Sequence, residues 1–242
     1  MKTIAAVLAL LLLGAVGTCH FLLYPTYTYR HRLTLEVEMP DGAVRSGSSV
    51  VEVEQSLYPR PIQQLGGGYV RVTGEAAVVD LGEGRLLVAL LTRRVRPGET
   101  PQTPRRGWDD KEPTRLLARV YGEENEWRDY GRNPGLGRLA RRRGAREIGP
   151  GDLPDLVTFA DPADPRSVEA VDPNDLAKTF GAGVRLRRAT IEVTGDPVTE
   201  GAIEQRLPWL RGMTGYLDGS RYNSSTALPN VLTRPDFIMR GL

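Results

Sequence analysis

Residues 4–24 are apolar with few interruptions, and from Arg30 onward the apolar positions recur with a period of two. Every residue from Ile4 to Gly17 is apolar or glycine; Thr18, Cys19 and His20 follow, then Phe21, Leu22, Leu23 and Tyr24. Such a stretch lacks the polar stripe of a helix lying on a globular core. Beyond it, Leu33, Leu35, Val37 and Met39 alternate with Arg32, Thr34, Glu36 and Glu38, the pattern of a half-buried strand with one wet face. Pro40, Asp41 and Gly42 carry turn chemistry, and alternation resumes through Val51 and Val53, so residues 33–55 read as a hairpin. A second hairpin is expected from "YVRVTGEAAVVDL", the Gly82-Glu83-Gly84 turn and "RLLVALLT", the last apolar enough for a central strand. The "YPRPIQQLGGG" between the hairpins reads as loop.

Further along, Pro97, Gly98, Pro101, Pro104 and Gly107 mark residues 94–113 as a linker or long excursion, with Trp108 available to pin it. "PTRLLARVYGEEN" is helix-like, "GRNPGLGRLARRRGAREIGPGDLP" irregular and basic, and "LVTFAD" a short strand. "VDPNDLAKTFGAG" reads as a short helix with Asp172 as N-cap, Pro173 at the first helical position and Gly181 as the stop. "VRLRRATIEVT" alternates again. "DPVTEGAIEQRLPWLRGM" suits an amphipathic helix broken by Pro208, and the segment after Gly215 reads as loop. Strands first, then strands mixed with short helices, define α+β: a mainly antiparallel sheet from β-hairpins with a few short helices, preceded by an N-terminal transmembrane or signal helix. The expected organisation is a leader (1–25), a hairpin-rich region (28–95), the Pro/Gly-rich excursion (96–114) and an α+β region (115–242) packed with 28–95 as one domain.

Three readings of the leader compete. In the first, it is a cleaved signal peptide: Lys2 supplies the positive end, and Ala15, Val16 and Gly17 place small residues for cleavage after Gly17. In the second, it is an uncleaved anchor: residues 4–24 make ~31 Å of helix, one hydrocarbon core, with Tyr24, Tyr27 and Tyr29 as an interfacial belt and Pro25 ending the helix. In the third, Cys19 is acylated, although Thr18 fits poorly before a lipidated cysteine. The anchor leads, because the apolar run continues past the cleavage point. Lys2 marks the N-terminus as cytoplasmic while Arg30 and Arg32 oppose that; a short tail before a long body leaves the body outside.

The 242 residues are 40% hydrophobic and 26% charged, an ordinary globular composition with net charge +2. Lys2, Lys111 and Lys178 are the only lysines, so the basic side is arginine. Cys19 is the only cysteine, and His20 and His31 are the only histidines. An intrachain disulfide and a cysteine zinc site are therefore excluded, and a Ser-His-Asp triad would have to use a histidine from the extreme N-terminal end.

"RLTLEVEMPDGAVRSGSSVVEV", "DLPDLVTFADPADPRSVEAVDPNDLAKTFG" and "IEQRLPWL" resemble segments of uncharacterised bacterial proteins with a similar apolar N-terminus. The resemblance covers most of the chain. It implies a bacterial, membrane-anchored protein and supplies no activity, substrate or site residue.

The glycine-rich pieces lack the Gly-Lys-Ser/Thr end of a phosphate loop and lead into strands, so they read as turns. Asp161, Asp164, Asp172 and Asp175 lack the register of a calcium loop and read as Asx turns and caps. Glu75 and Asp80, or Asp109 and Asp110 beside Trp108, could serve carboxylate hydrolysis, though nothing selects them over other acids. Arg138, Arg141, Arg142, Arg143 and Arg146 form the sharpest charge feature. It can meet an anionic lipid or another anionic partner, or be a solvated loop balanced by Glu123, Glu124, Glu126 and Asp129; it lacks interleaved aromatics for base stacking.

The function expected is a membrane-tethered exported bacterial protein, its body a binding or interaction module of the cell envelope. It would be held in the inner membrane through residues 4–24 and face the periplasm, or be released after cleavage near Gly17. Its expected partners are an envelope protein or anionic lipid, with no nucleic acid and no cofactor. The alternatives are an envelope hydrolase using Asp or Glu carboxylates, and a cytosolic nucleic-acid-binding module using residues 138–146.

Overall fold

A computed structural model describes residues 6–7, 10–14, 26–57, 68–93, 112–123, 134–222 and 224–241. The expected loop at 58–67, most of the 94–113 excursion with Trp108, Asp109 and Asp110, and Cys19 and His20 lie outside the described residues.

The chain is α+β with antiparallel sheets and a few short helices. The strands are β1 (Thr26–Glu38), β2 (Val44–Leu57), β3 (Gly68–Glu75), β4 (Ala77–Gly82), β5 (Arg85–Ala89), β6 (Arg146–Glu147), β7 (Leu156–Phe159), β8 (Val168–Val171), β9 (Arg185–Val193) and β10 (Ile238–Arg240). The helices are α1 (Glu112–Tyr121), α2 (Pro134–Leu139), α3 (Ala177–Phe180) and α4 (Ala202–Arg206). One sheet has the order β10-β3-β2-β1-β9-β6, the other β4-β5-β7-β8.

Alternation builds the first sheet as expected. In β1, Tyr29, His31, Leu33, Leu35 and Val37 are buried while the residues between them stay partly wet. The wet face carries charge pairs directly opposite one another. Arg30 meets Glu52 at 2.7 Å, Arg32 meets Glu192 at 2.6 Å and Arg188 meets Glu36 at 2.7 Å. Each such pair contributes a few tenths of a kcal/mol to about 1 kcal/mol, and together they disfavour a slipped register.

The expected single strand "YVRVTGEAAVVDL" is two strands. β3 ends at Glu75 in the six-stranded sheet, and after Ala76 β4 begins in the four-stranded one. Gly74, at φ +144°, supports the change of direction. The sheets then approach so closely that a Cβ on Gly47 of β2 would overlap the Val78 carbonyl of β4. The turn from β4 to β5 is tight, with Gly82, Glu83 and Gly84 all at positive φ.

Glu75 joins three regions. Its carbonyl accepts Ser49 Oγ at 2.6 Å, and its carboxylate, only 2% exposed, accepts the backbone N–H groups of Gly201 and of Ile203 (3.0 Å) at the start of α4. A buried side chain from the hairpin region thus satisfies the first N–H groups of a helix far along the chain. The Asp196-Pro197 opening does not cap that helix; Asp196 pairs with Arg32. Asp172 likewise forms an Asx turn to Asn174 N at 2.9 Å, and α3 starts only at Ala177. Gly181 ends α3 as expected, its N–H on the Ala177 carbonyl.

The segment after Gly215 is more ordered than a loop. Asn230, 2% exposed, accepts from Ser224 N and Ser225 N and donates to Asp218. Asp236, fully buried, accepts from Thr92 and Thr233, and β10 pairs with β3.

Replacing Glu75 by alanine strands the buried Ile203 N–H and the part-buried Gly201 N–H, so the unfolding free energy is expected to fall by about 2–4 kcal/mol. Gly47→Ala should cost a comparable amount through the clash with Val78, whereas Gly42→Ala, in the open β1–β2 turn, should cost only about 1 kcal/mol. Urea unfolding followed by circular dichroism separates the three.

Candidate functional site

The inner face of β1 and β2 changes character along its length. At Leu33, Leu35 and Val37 it is apolar; nearer the start of β1 it carries Tyr29, His31 and, on β2, Gln55, all at most 4% exposed. The Tyr29 hydroxyl, His31 Nδ1 and both polar atoms of the Gln55 amide have no hydrogen-bond partner among the described residues. Four unanswered polar atoms on one face depart from the rule that buried polar groups are paired. The rings of Tyr29 and His31 lie 6.3 Å apart, and α1 and α2 pack over this end of the sheet.

His31 also lines a cavity between the two sheets and the first turn of α1, shared with Ser49, Glu75 and Glu112. Its volume, about 20 Å³, holds a single water molecule and no sugar or peptide. Burial lowers the His31 pKa to about 4, so the imidazole is neutral at pH 7, and burial raises the Tyr29 hydroxyl above its ordinary value. Burial likewise raises the Glu112 carboxyl, against the opposing pull of Arg119, which hydrogen-bonds it, and of Arg93 at 3.8 Å.

The two acids of the expected hydrolytic pairs that lie among the described residues have structural duties. Glu75 caps α4, and Asp80 pairs with Arg206. Asp161, Asp164, Asp172 and Asp175 bond backbone N–H groups two or three residues ahead, as read from the sequence. Among the described residues no group of three His, Cys, Asp or Glu side chains could hold a metal ion.

The five arginines divide. Glu123, at the end of α1, receives Arg138 at 2.7 Å and Arg142 at 3.0 Å, and the Arg138 hydrogen bond leads in holding its carboxyl below the usual range. Arg146 stacks over the Tyr121 ring at 4.5 Å, with Arg142 at 5.6 Å. These contacts lock the segment after α2 onto the C-terminal end of α1. Arg141 and Arg143 are exposed and meet no carboxylate among the described residues. Gly137 of α2 sits against Tyr27 at the start of β1, which brings the arginine segment beside the point where the chain emerges from residues 4–24.

Sequence reasoning set His31 aside as terminal. It is terminal in the chain only, because β1 runs through the interior of the six-stranded sheet. No family model matches the chain, and neither a curated protein nor a solved structure is similar to it.

An unfolded histidine titrates near 6.5 and this one near 4, so in that window the unfolded chain binds more protons. Stability contributed here is complete above pH 6.5 and is lost as pH falls toward 4. Between pH 7 and pH 4.5 the wild type should lose about 2 kcal/mol that His31→Leu does not lose, measured by urea unfolding of both proteins at the two pH values.

Proposed function

We propose that this protein is a membrane-tethered, exported bacterial protein whose folded body is a binding module of the cell envelope. The observation that carries the reading is the state of the leader's described residues. Val7 is 56% exposed, and Leu10, Leu11, Leu12 and Leu13 are 65–70% exposed. Residues 10–14 are helical, so these consecutive leucines point to every side of a turn, and none meets the body well enough to be covered. Among the described residues the core begins at Tyr29 and takes nothing from the leader. Five large apolar side chains in water forgo on the order of 5–10 kcal/mol of burial, which a bilayer would supply. No helix among the described residues is long and apolar enough to cross a membrane; of residues 4–24, only 6–7 and 10–14 are described.

The binding role draws support from the body. Among the described residues the buried Glu75 caps α4 and the buried Glu112 pairs with Arg119, the cavity beside His31 admits one water, and Arg143, which meets no carboxylate, lines the groove at the start of β1.

Membrane fractionation of the untagged chain, with intact mass on each fraction, tests the tether. The full-length mass is expected in the membrane pellet after carbonate washing, released by detergent, with the body digested when protease is added to spheroplasts. A chain lacking residues 1–25 should be soluble and unfold at the same temperature. Full-length protein in the soluble fraction would overturn the tether. A mass beginning at residue 18 would replace it with a secreted form, and added lipid mass on Cys19 with a lipoprotein.

A further inference from the structure

Strand β1 is longer than its neighbour. β9 accompanies it from the pair Glu38–Arg185 to the pair His31–Val193 and then leaves. The last bond is Thr194 N–H to the Arg30 carbonyl at 3.0 Å. Past it, Gly195 and Asp196 turn away, the Asp196 N–H held by Thr194 Oγ1 at 3.1 Å and its carbonyl by Arg30 Nη1 at 3.3 Å. On its other side β1 stays paired with β2 without a register break as far as Thr26–Ser56. The Arg30 carbonyl points toward the β9 side. Backbone groups alternate sides along a strand, so the N–H and C=O of Thr28, two residues earlier, point the same way, past the end of β9.

A groove of about 510 Å³ lies along this edge, its lining among the described residues including Thr28, Arg30, Glu52, Val193, Thr194 and Arg143. Proteins ordinarily blunt an open edge with proline, a bulge or an inward-pointing charge. Residues 26–29 are Thr-Tyr-Thr-Tyr, strand formers without any of these devices. Arg30, Arg143 and Glu52 give the groove a net charge of one cation. Arg30 is answered by Glu52, but Arg143 bonds only the carbonyls of Ala140 and Arg142, and Arg141 beside it is unanswered among the described residues.

We propose that the Thr26–Thr28 edge is a docking site for an extended, acidic peptide segment of a partner protein. The segment adds as a further strand beside β1 and sets a carboxylate against Arg143 and Arg141. Backbone donors and acceptors in strand spacing, combined with a flanking cation, are what strand addition requires. A lipid headgroup would use the arginines but leave the backbone edge unused. The inference rests on the reading of the body as a binding module and names its partner's chemistry; it does not depend on how residues 4–24 are processed.

The test uses the full chain in phosphatidylcholine nanodiscs and a labelled octapeptide alternating valine or threonine with glutamate. Binding should slow hydrogen exchange at the Thr28 amide. Methylating alternate backbone nitrogens of the peptide, or exchanging its glutamates for lysine, should weaken binding at least tenfold. Arg143→Glu should weaken it about five- to tenfold at low salt, with the difference shrinking as salt rises. Thr28→Pro removes only an N–H aimed at the open edge and should abolish binding while the protein stays folded; the methylated peptide asks the same question with an unaltered protein. Absence of binding at about 1 mM peptide, or binding indifferent to N-methylation, overturns the proposal. So does capture by phosphatidylglycerol vesicles that depends on Arg143 while Thr28 exchange is unchanged by peptide; the arginines would then serve lipid. If fractionation finds the chain soluble while the peptide results hold, the tether falls and the docking edge stands.

Discussion

The carboxylate of Glu75 has left water, and that loss is tolerable only because two peptide N–H groups at Gly201 and Ile203 replace the lost hydration. Much of the architecture is arranged around this exchange. β3 must end where the side chain can turn inward, Ala76 must carry the chain at once into the second sheet, and α4 must present its first turn to the same spot. Ser49 on β2 and Phe237 just before β10 bond the backbone at this junction, Ala76 N–H meeting the Phe237 carbonyl at 2.8 Å. Without the carboxylate, three segments distant in sequence would meet around unpaired donors.

The first sheet shows a division of labour. Its outer face is a ladder of opposite charges that fixes register and stays wet, and its inner face holds the apolar core and the poorly satisfied Tyr29, His31 and Gln55. Such groups lower stability where they lie, and α1 and α2 pack over the end of the sheet where they are found. Glu123 fastens those two helices together through Arg138 and Arg142, so part of the arginine run is structural, leaving Arg141 and Arg143 outward.

What the sequence disclosed follows from how locally each feature is specified. The β1–β2 hairpin was legible because alternation and turn residues are local. The break at Ala76 was not: the buried positions pass from even (70, 72) to odd (77, 79) through four consecutive buried residues, 74–77, and the small Gly74, Ala76 and Ala77 carry too little polar contrast to show the change of phase. β6, β8 and β10 were missed, being two, four and three residues long, too short for a period; the equally short β7 was legible only as the apolar run at Leu156–Phe159. Asp172-Pro173 was taken for a helix start because an Asx turn uses the same residues. Glu123 could be named as a counter-charge from proximity in sequence, but the convergence of His31, Glu75 and Glu112 on one cavity arises from pairing across the fold and has no local signal.

The strand order also bears on synthesis. β1 leaves the ribosome first, yet one of its flanking strands, β9, ends only at Val193, and the six-stranded sheet closes its far edge with residues 238–240. Contacts between such distant parts of the sequence form slowly, since the intervening chain must be ordered before they stabilise anything. A nascent body of this topology has no finished six-stranded sheet until β10 emerges. Residues 31–38 of β1 therefore stay unpaired on one side until β9, residues 185–193, has been made.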